Sequence, residues 1–217
     1  MIRSLISAVF LATLATASHS ATVTNGSFED IGAGALNGNG WNHFLNIPGW
    51  TGDPNVEVQS NSTLGSSVNT PFGDRYAELD TNQDAGIYQD IFLDAGKYML
   101  NFWYSPRVNA SPTTTNDMDY SISMGATDLL LGSINGAPNL AYQHGVFTEV
   151  TGRFAVESAG LVRLAFSANG GSFYNGCGNC GALIDNVSIS AVPLPAAGWM
   201  LLAGFGGLVA MRRRSKS

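Results

Sequence analysis

The amino-acid sequence predicts an all-β domain, an antiparallel jelly-roll β-sandwich, on three observations. Apolar and polar residues alternate strictly in several windows, and apolar residues spaced by three and four, as on a helix face, are nearly absent. Turn residues separate these windows at short intervals, and the 217 residues include 26 glycines. About nine or ten short strands at such spacing are typical of a sandwich.

The individual strands follow from the alternation. In the window 97–104, Tyr98, Leu100 and Phe102 share one face while Asn101 and Trp103 lie on the other. The remaining predicted strands are 22–28, 56–59, 75–79, 86–93, 118–124, 146–154, 161–166 and 183–189. Two longer loops, 105–117 and 167–181, are rich in residues that tolerate irregular backbone, and such loops collect at the ends of a sandwich, where ligand sites often form.

The charge is divided unevenly along the chain. The formal net charge is −6, with ten basic and sixteen acidic residues. Between residues 22 and 192 there are five basic residues against all sixteen acidic ones, a net charge of −11. Phosphate binding requires clustered Lys and Arg, so a nucleic-acid partner is not expected.

The N-terminal segment has the pattern of a secretory signal peptide. Arg3 precedes an apolar run over residues 5–17, and small residues follow at Ser18 and Ser20. The apolar run is short for a membrane span of about 20 residues. We therefore predict a signal peptide over residues 1–21, removed after Ser20 or Ala21, with a permanent anchor as the alternative.

The C-terminal segment, residues 192–217, is a short proline motif, an apolar stretch and a basic end. The stretch 197–211 is marginal for a stable span, and the arginines that follow it favour a cytoplasmic end. This order resembles the PEP-CTERM sorting signal in its Val-Pro-Leu-Pro-Ala variant, although no Glu lies between the two prolines. The residues that carry the resemblance are Val192, Pro193, Leu194, Pro195, Ala196, Arg212, Arg213 and Arg214.

The sorting resemblance implies a partner and a location. The partner is an exosortase-type sorting enzyme, and the membrane is contacted only through the C-terminal helix before the tail is removed. The protein is then expected to pass from an inner-membrane-tethered intermediate to the cell surface or extracellular matrix of a Gram-negative bacterium. The alternative is a plain C-terminal membrane anchor.

The middle of the chain, residues 22–191, carries a second resemblance. The order of five short stretches carries it. They are the opening Asn-Gly-Ser-Phe-Glu at 25–29, Ile-Pro-Gly-Trp at 47–50, the stretches 87–91 and 96–102, and the closing Leu-Ile-Asp-Asn-Val at 183–187. Together they resemble the galactose-binding-like β-sandwich, as found in carbohydrate-binding modules of families four, nine and twenty-two and in a plant cell-wall domain family. One fold hosts many functions, so the ligand does not follow from the fold.

Asp185 is a candidate metal ligand. Alternation places it on the face of Leu183, Val187 and Ile189, the expected core, where a carboxylate is costly unless it is paired or binds a cation. The resemblance implies that Glu29 and Asp185 help to hold a structural calcium ion, completed by carbonyl oxygens of the opening motif. The alternative is a metal-free Asp185 that accepts hydrogen bonds from loop amides.

Trp103 is the candidate ligand-binding residue. An aromatic ring flanked by polar groups suits a pyranose, which has an apolar face and a rim of hydroxyls. We expect Asn101, Tyr88 and Asp90 to lie beside Trp103 and to complete this site for a polysaccharide. The alternative is that a loop covers Trp103, which would then be ordinary core.

The only two cysteines, Cys177 and Cys180, are predicted to form a local disulfide in an oxidising compartment. Catalysis is not expected. Paired carboxylates occur at Asp117 with Asp119 and at Glu78 with Asp80, but no Ser/His/Asp set, histidine metal motif or phosphate loop is present. The sequence thus predicts an exported, non-catalytic, carbohydrate-binding protein of an exopolysaccharide or biofilm matrix. The alternatives are a structural matrix protein or adhesin that binds no sugar and a weak glycoside hydrolase.

Overall fold

The computed structural model describes residues 23–61, 63–64, 68–79, 84–107, 116–136, 143, 145–169 and 181–193. Within these ranges the secondary structure consists of strands, and no helix there is long and apolar enough to cross a membrane. The strands are β1 (Trp41–Ile47), β2 (Trp50–Ser60), β3 (Arg75–Glu78), β4 (Gly86–Leu93), β5 (Gly96–Pro106), β6 (Met118–Met124), β7 (Thr127–Ile134), β8 (Thr148–Val156), β9 (Gly160–Ala168) and β10 (Ala182–Ala191).

All strand pairs are antiparallel, and their order is β7-β6-β9-β4-β2-β3-β10-β5-β8, with β1 paired to β2. Strand β2 joins two layers: residues 51–53 pair with β4, and residues 57–60 pair with β3. The two layers face one another, since the ring of Phe102 on β5 lies 4.9 Å from that of Phe166 on β9. The predicted antiparallel β-sandwich is therefore confirmed.

The core lies between the layers and is built by the alternation that the sequence shows. On β4, residues Ile87, Ile91 and Leu93 are buried while Asp90 and Phe92 are exposed. On β5, Leu100 and Phe102 are fully buried in the same core. Burying apolar side chains of this kind stabilises a fold by roughly 25 cal/mol per Å² of apolar area.

The predicted bounds agree with the observed ones for β4 and β6, and the other predicted windows fall on β2, β3, β5, β8, β9 and β10, with one exception. The strand predicted over 22–28 is wrong, because residues 24–27 form a turn. Asn25 and Phe28 have φ values of 52° and 57°, and the Asn25 side chain donates to the carbonyls of Asp30 and Pro48. Strands β1 and β7 were not predicted.

Candidate functional site

The two layers of the sandwich have outer faces that point away from each other. We call the outward side chains of β1, β2, β3, β10, β5 and β8 the β5 face, and those of β4, β9 and β6 the β4 face. Directly paired residues of antiparallel strands share a face, so the register assigns each side chain to one of them. The predicted ligand-binding residues divide between these two faces.

Trp103 and Asn101 lie on the β5 face, opposite the buried Tyr98, Leu100 and Phe102. The Trp103 ring is partly exposed, and its centroid lies 4.7 Å from the ring of Phe72. Around it, Leu183 and the buried rings of Tyr76 and Phe147 form a small hydrophobic cluster separate from the main core. Trp103 is therefore supported from below and beside it, and part of its surface remains accessible.

Tyr88 and Asp90 lie on the β4 face, so the predicted grouping of these residues with Trp103 is wrong. Strands β4 and β5 are consecutive in sequence, but β2, β3 and β10 lie between them in the sheet. Instead, Arg163 on β9 binds Asp90 through two hydrogen bonds of 2.8 Å and places its guanidinium 3.9 Å from the centroid of the Tyr88 ring. The bonds from Arg163 hold the pKa of Asp90 below its usual value.

The β5 face also has a buried polar layer that the sequence analysis missed. Glu57 and Glu78 are directly opposite on β2 and β3, and the side-chain amide of Gln59 donates to both carboxylates. Glu78 accepts further bonds from the Arg107 guanidinium at 2.6 Å and the Gly181 amide at 2.7 Å. Burial raises the pKa of Glu78 well above its usual range, and the Arg107 charge opposes that rise.

At the β1 edge this layer supports two partly exposed rings. Trp41 and His43 are paired with Gln59 and Glu57, and their ring centroids are 5.2 Å apart. His43 Nε2 lies 2.7 Å from Glu57 Oε2, which fixes the orientation of the imidazole. The sequence signal for these residues is the alternation of Trp41 and His43 with Asn42, and a window of three residues is too short to predict a strand.

Asp185 is fully buried, but the prediction that it faces the main core is wrong. The register of β10 shifts between Asp185 and Ser188, and Asn186 has a φ of 48°. This bulge leaves Leu183 and Asp185 on the β5 face while Val187 and Ile189 enter the core. An alternating pattern cannot reveal such a bulge, because one extra residue exchanges the two faces.

Asp185 accepts hydrogen bonds from the Thr70 hydroxyl and, at 2.6 Å, from the Asn186 amide. Burial raises the pKa of Asp185 to about 7, although the two hydrogen bonds lower it. The negative charge of the Glu29 carboxylate raises it further. Glu29 itself accepts bonds from the amides of Asp74 and Arg75 at 2.8 and 2.9 Å. The Glu29 carboxylate, the other residue predicted to hold calcium, thus lies close enough for its charge to act on Asp185.

The side-chain atoms that could coordinate a metal ion here are the carboxylate oxygens of Glu29 and Asp185 and the hydroxyl oxygen of Thr70. Oxygen is the ligand atom that calcium prefers. Within the described ranges, no group of three or more His, Cys, Asp or Glu side chains is placed to hold a metal ion. A calcium ion at this position would therefore need hydroxyl and carbonyl oxygens beside the two carboxylates. Gly26 is close, since its carbonyl accepts the Val187 amide at 2.8 Å.

Several predicted residues lie outside the described ranges. They include Cys177 and Cys180, Asp80, the signal peptide, and the sorting residues Leu194, Pro195, Ala196, Arg212, Arg213 and Arg214. Val192 and Pro193 are described: the Val192 amide donates to the Lys97 carbonyl at 2.8 Å, directly after β10. The paired carboxylates Asp117 and Asp119, for which no catalytic role was expected, accept hydrogen bonds from protein groups: Asp117 from the Gly136 amide, and Asp119 from Ser133 and Asn169.

The sequence matches no family model and no curated protein. Among solved structures, a cyclase from Fischerella sp. TAU in complex with 4-(1H-indol-3-yl)butan-2-one is 19% identical, with a TM-score of 0.56, over 81% of this chain and 98% of that chain. The module TmCBM61 in complex with β-1,4-galactotriose is 18% identical, with a TM-score of 0.48, over 77% of this chain and 96% of that chain. The carbohydrate-binding module CBM6cm-2 of Cellvibrio mixtus lichenase 5A, in complex with cellotriose, is 12% identical, with a TM-score of 0.39, over 64% and 88%. The similarity to the cyclase shows a shared fold and does not determine the function of this chain.

Proposed function

We propose that this chain is an exported, non-catalytic carbohydrate-binding protein of an extracellular polysaccharide layer and that the β5 face is its binding surface. The observation that carries the proposal is the partly exposed Trp103 ring, held by Phe72 on an outer face whose buried layer is polar. A pyranose ring stacks on such an aromatic surface through its C–H face while its hydroxyls reach polar groups at the rim.

The face offers aromatic surface at both ends. Trp41 and His43 lie on β1 and Trp103 lies on β5, four strands further along the sheet order β1-β2-β3-β10-β5. At roughly 4.8 Å per strand, the axes of β1 and β5 are about 19 Å apart, a distance that several sugar units would span. The ligand we propose is therefore a polysaccharide chain.

The non-catalytic part of the proposal rests on how the carboxylates are used. Glycoside hydrolysis needs two carboxyls that reach the scissile bond. The side chains of Glu57 and Glu78 are only 6% and 0% exposed, and both accept hydrogen bonds from protein groups. These acids support the binding face from beneath and do not contact a bound chain.

Sorting and calcium complete the proposal. The resemblance of residues 192–217 to a PEP-CTERM signal supports an exosortase-type partner and release to the surface or matrix of a Gram-negative bacterium. A structural calcium ion held by Glu29 and Asp185, with Thr70 as a neighbouring hydroxyl, would neutralise the buried carboxylate and fix the opening turn against β10.

A second candidate function is a structural matrix protein that acts through protein contacts. Phe92 and Leu161 are directly paired on the β4 face and are 62% and 63% exposed, which gives this face an apolar pair that another protein could cover. Unlike the first candidate, this function would not depend on Trp103.

The test is a glycan array probed with the purified full-length protein in a detergent without a sugar head group. Wild-type protein is expected to bind, Trp103→Ala to lose about tenfold or more in affinity, and Tyr88→Ala to bind normally. Far-ultraviolet circular dichroism and the melting temperature of each variant control for folding. Absence of binding to every glycan, or equal loss from both variants, would reject the β5 face as a carbohydrate site and favour the second candidate.

A further inference from the structure

The neighbours of Trp103 on the adjacent strands are both carboxylates. Trp103 pairs directly with Asp185 on β10 and with Glu149 on β8. Asp185 is fully buried, whereas Glu149 is exposed. The partly exposed Trp103 is therefore next to one solvent-facing negative charge, on the same face and one strand away.

Glu149 has no cationic partner among the described residues, where the ion pairs are His43–Glu57, Arg75–Glu29, Arg107–Glu78 and Arg163–Asp90. The other charged outward residue of β8 is Arg153, which lies four positions further along the strand and pairs with Met99. The charge beside the ring is thus available to a ligand.

An aromatic face next to an exposed carboxylate is a favourable place for an ammonium group. The ring quadrupole attracts a cation within about 6 Å, and the carboxylate adds a charge-assisted hydrogen bond. The net charge of −11 between residues 22 and 192 acts in the same direction, because it draws cations toward the domain and repels polyanions.

We infer that the ligand of the β5 face is an amine-bearing polysaccharide, built of hexosamine units with free amino groups, that places an ammonium between Trp103 and Glu149. This inference rests on the proposed function and names the ligand class of the same site. A uronic-acid polysaccharide is excluded by the same argument, since its carboxylates would meet Glu149.

The experiment is isothermal titration calorimetry of the full-length protein with three soluble oligosaccharides of equal length. The probes are a β-1,4-linked glucosamine oligomer, its N-acetylated counterpart and a galacturonic acid oligomer. The glucosamine oligomer is expected to bind at least about fivefold more tightly than the acetylated one at pH 6, and the galacturonic acid oligomer not to bind.

The variant Glu149→Gln is expected to weaken binding of the glucosamine oligomer about five- to tenfold and to leave the acetylated oligomer unaffected. The matched control is Glu157→Gln, which removes another exposed charge just beyond the end of β8. Equal weakening by both variants would show a diffuse effect of net charge and overturn the inference.

The remaining outcomes separate this inference from the proposed function. If the acetylated or the galacturonic acid oligomer binds as tightly as the glucosamine oligomer, and this binding depends on Trp103, the inference of an amine-bearing ligand is wrong. The proposal of carbohydrate binding then stands. If none of these oligomers and no glycan of the array binds, both fail.

Discussion

The two outer faces of the sandwich contain the same kinds of residue in opposite arrangements. On the β4 face, Tyr88, Asp90 and Arg163 are close to solvent and satisfy one another. On the β5 face, the charged groups Glu57 and Glu78 are buried and hydrogen-bonded, and the partly exposed aromatic rings belong to other residues of the same face. The presence of aromatic, acidic and basic residues in a sequence therefore does not define a binding site. Whether a side chain can bind a ligand depends on whether protein groups already occupy it.

The largest expected effect compares the two faces by removing one acid from each. Glu78→Ala leaves the Arg107 guanidinium and the Gly181 amide without their shared acceptor in a buried site, so the free energy of unfolding should fall by about 3 to 5 kcal/mol. Asp90→Ala breaks an exposed pair and should cost less than about 1 kcal/mol. Urea denaturation of the two variants measures both values, and similar losses would mean that the polar layer is not buried in solution.

The next effect is a pH dependence that Asp185 gives to the β5 face. The folded pKa of Asp185, about 7, lies above its usual 3.8, so the native state holds a proton that the unfolded state releases. Without calcium, this contribution to stability is complete below about pH 4 and is lost as the pH rises to 7, by up to about 4 kcal/mol.

Thermal or urea unfolding between pH 4 and pH 8, with chelator and with calcium, measures this loss. Asp185→Asn should make the profile in chelator shallower, and the raised pKa of Glu78 accounts for the loss that remains. If calcium replaces the proton, as proposed, it should restore the stability of wild-type protein at pH 8 and have no effect on the variant. A wild-type profile that calcium does not change would show that Glu29 and Asp185 do not hold a calcium ion.

The smallest expected effect concerns the apolar pair of the β4 face. Phe92→Ser removes a side chain that is 62% exposed, so the free energy of unfolding should change by less than about 0.5 kcal/mol, and glycan binding should not change. Sedimentation of wild-type and variant protein tests whether the pair has another use. A variant that stays monomeric where the wild type self-associates would favour the structural function over the carbohydrate-binding one.

The strands that the sequence predicted best are those with strict alternation. Both ends of β4 were placed correctly, because its inward residues Ile87, Ile91 and Leu93 alternate with outward ones and turn residues follow. Strand β7 was missed because Leu129, Leu130 and Leu131 are consecutive and show no period of two. Residues 24–27 were misread because the side-chain bonds of Asn25 make a turn there, and alternation does not register such bonds.

The candidate site was harder to predict, since it depends on strand order. The face of Trp103 follows from alternation within one strand, but its neighbours come from β8 and β10, which lie far away in sequence. Consecutive strands often pair, and the expectation that Tyr88 would join Trp103 came from that tendency. The pairing of Glu57 with Glu78 likewise requires the register of β2 with β3, which no local pattern encodes.

The position of β10 has a consequence for how the chain is made. This strand ends at Ala191 yet lies in the interior of its layer, between β3 and β5. During synthesis, which starts at the N-terminus, the position between β3 and β5 therefore stays empty until residues 182–191 have been made. Such long-range closure is slow, and the unpaired edges of β3 and β5 stay exposed until β10 fills the position between them.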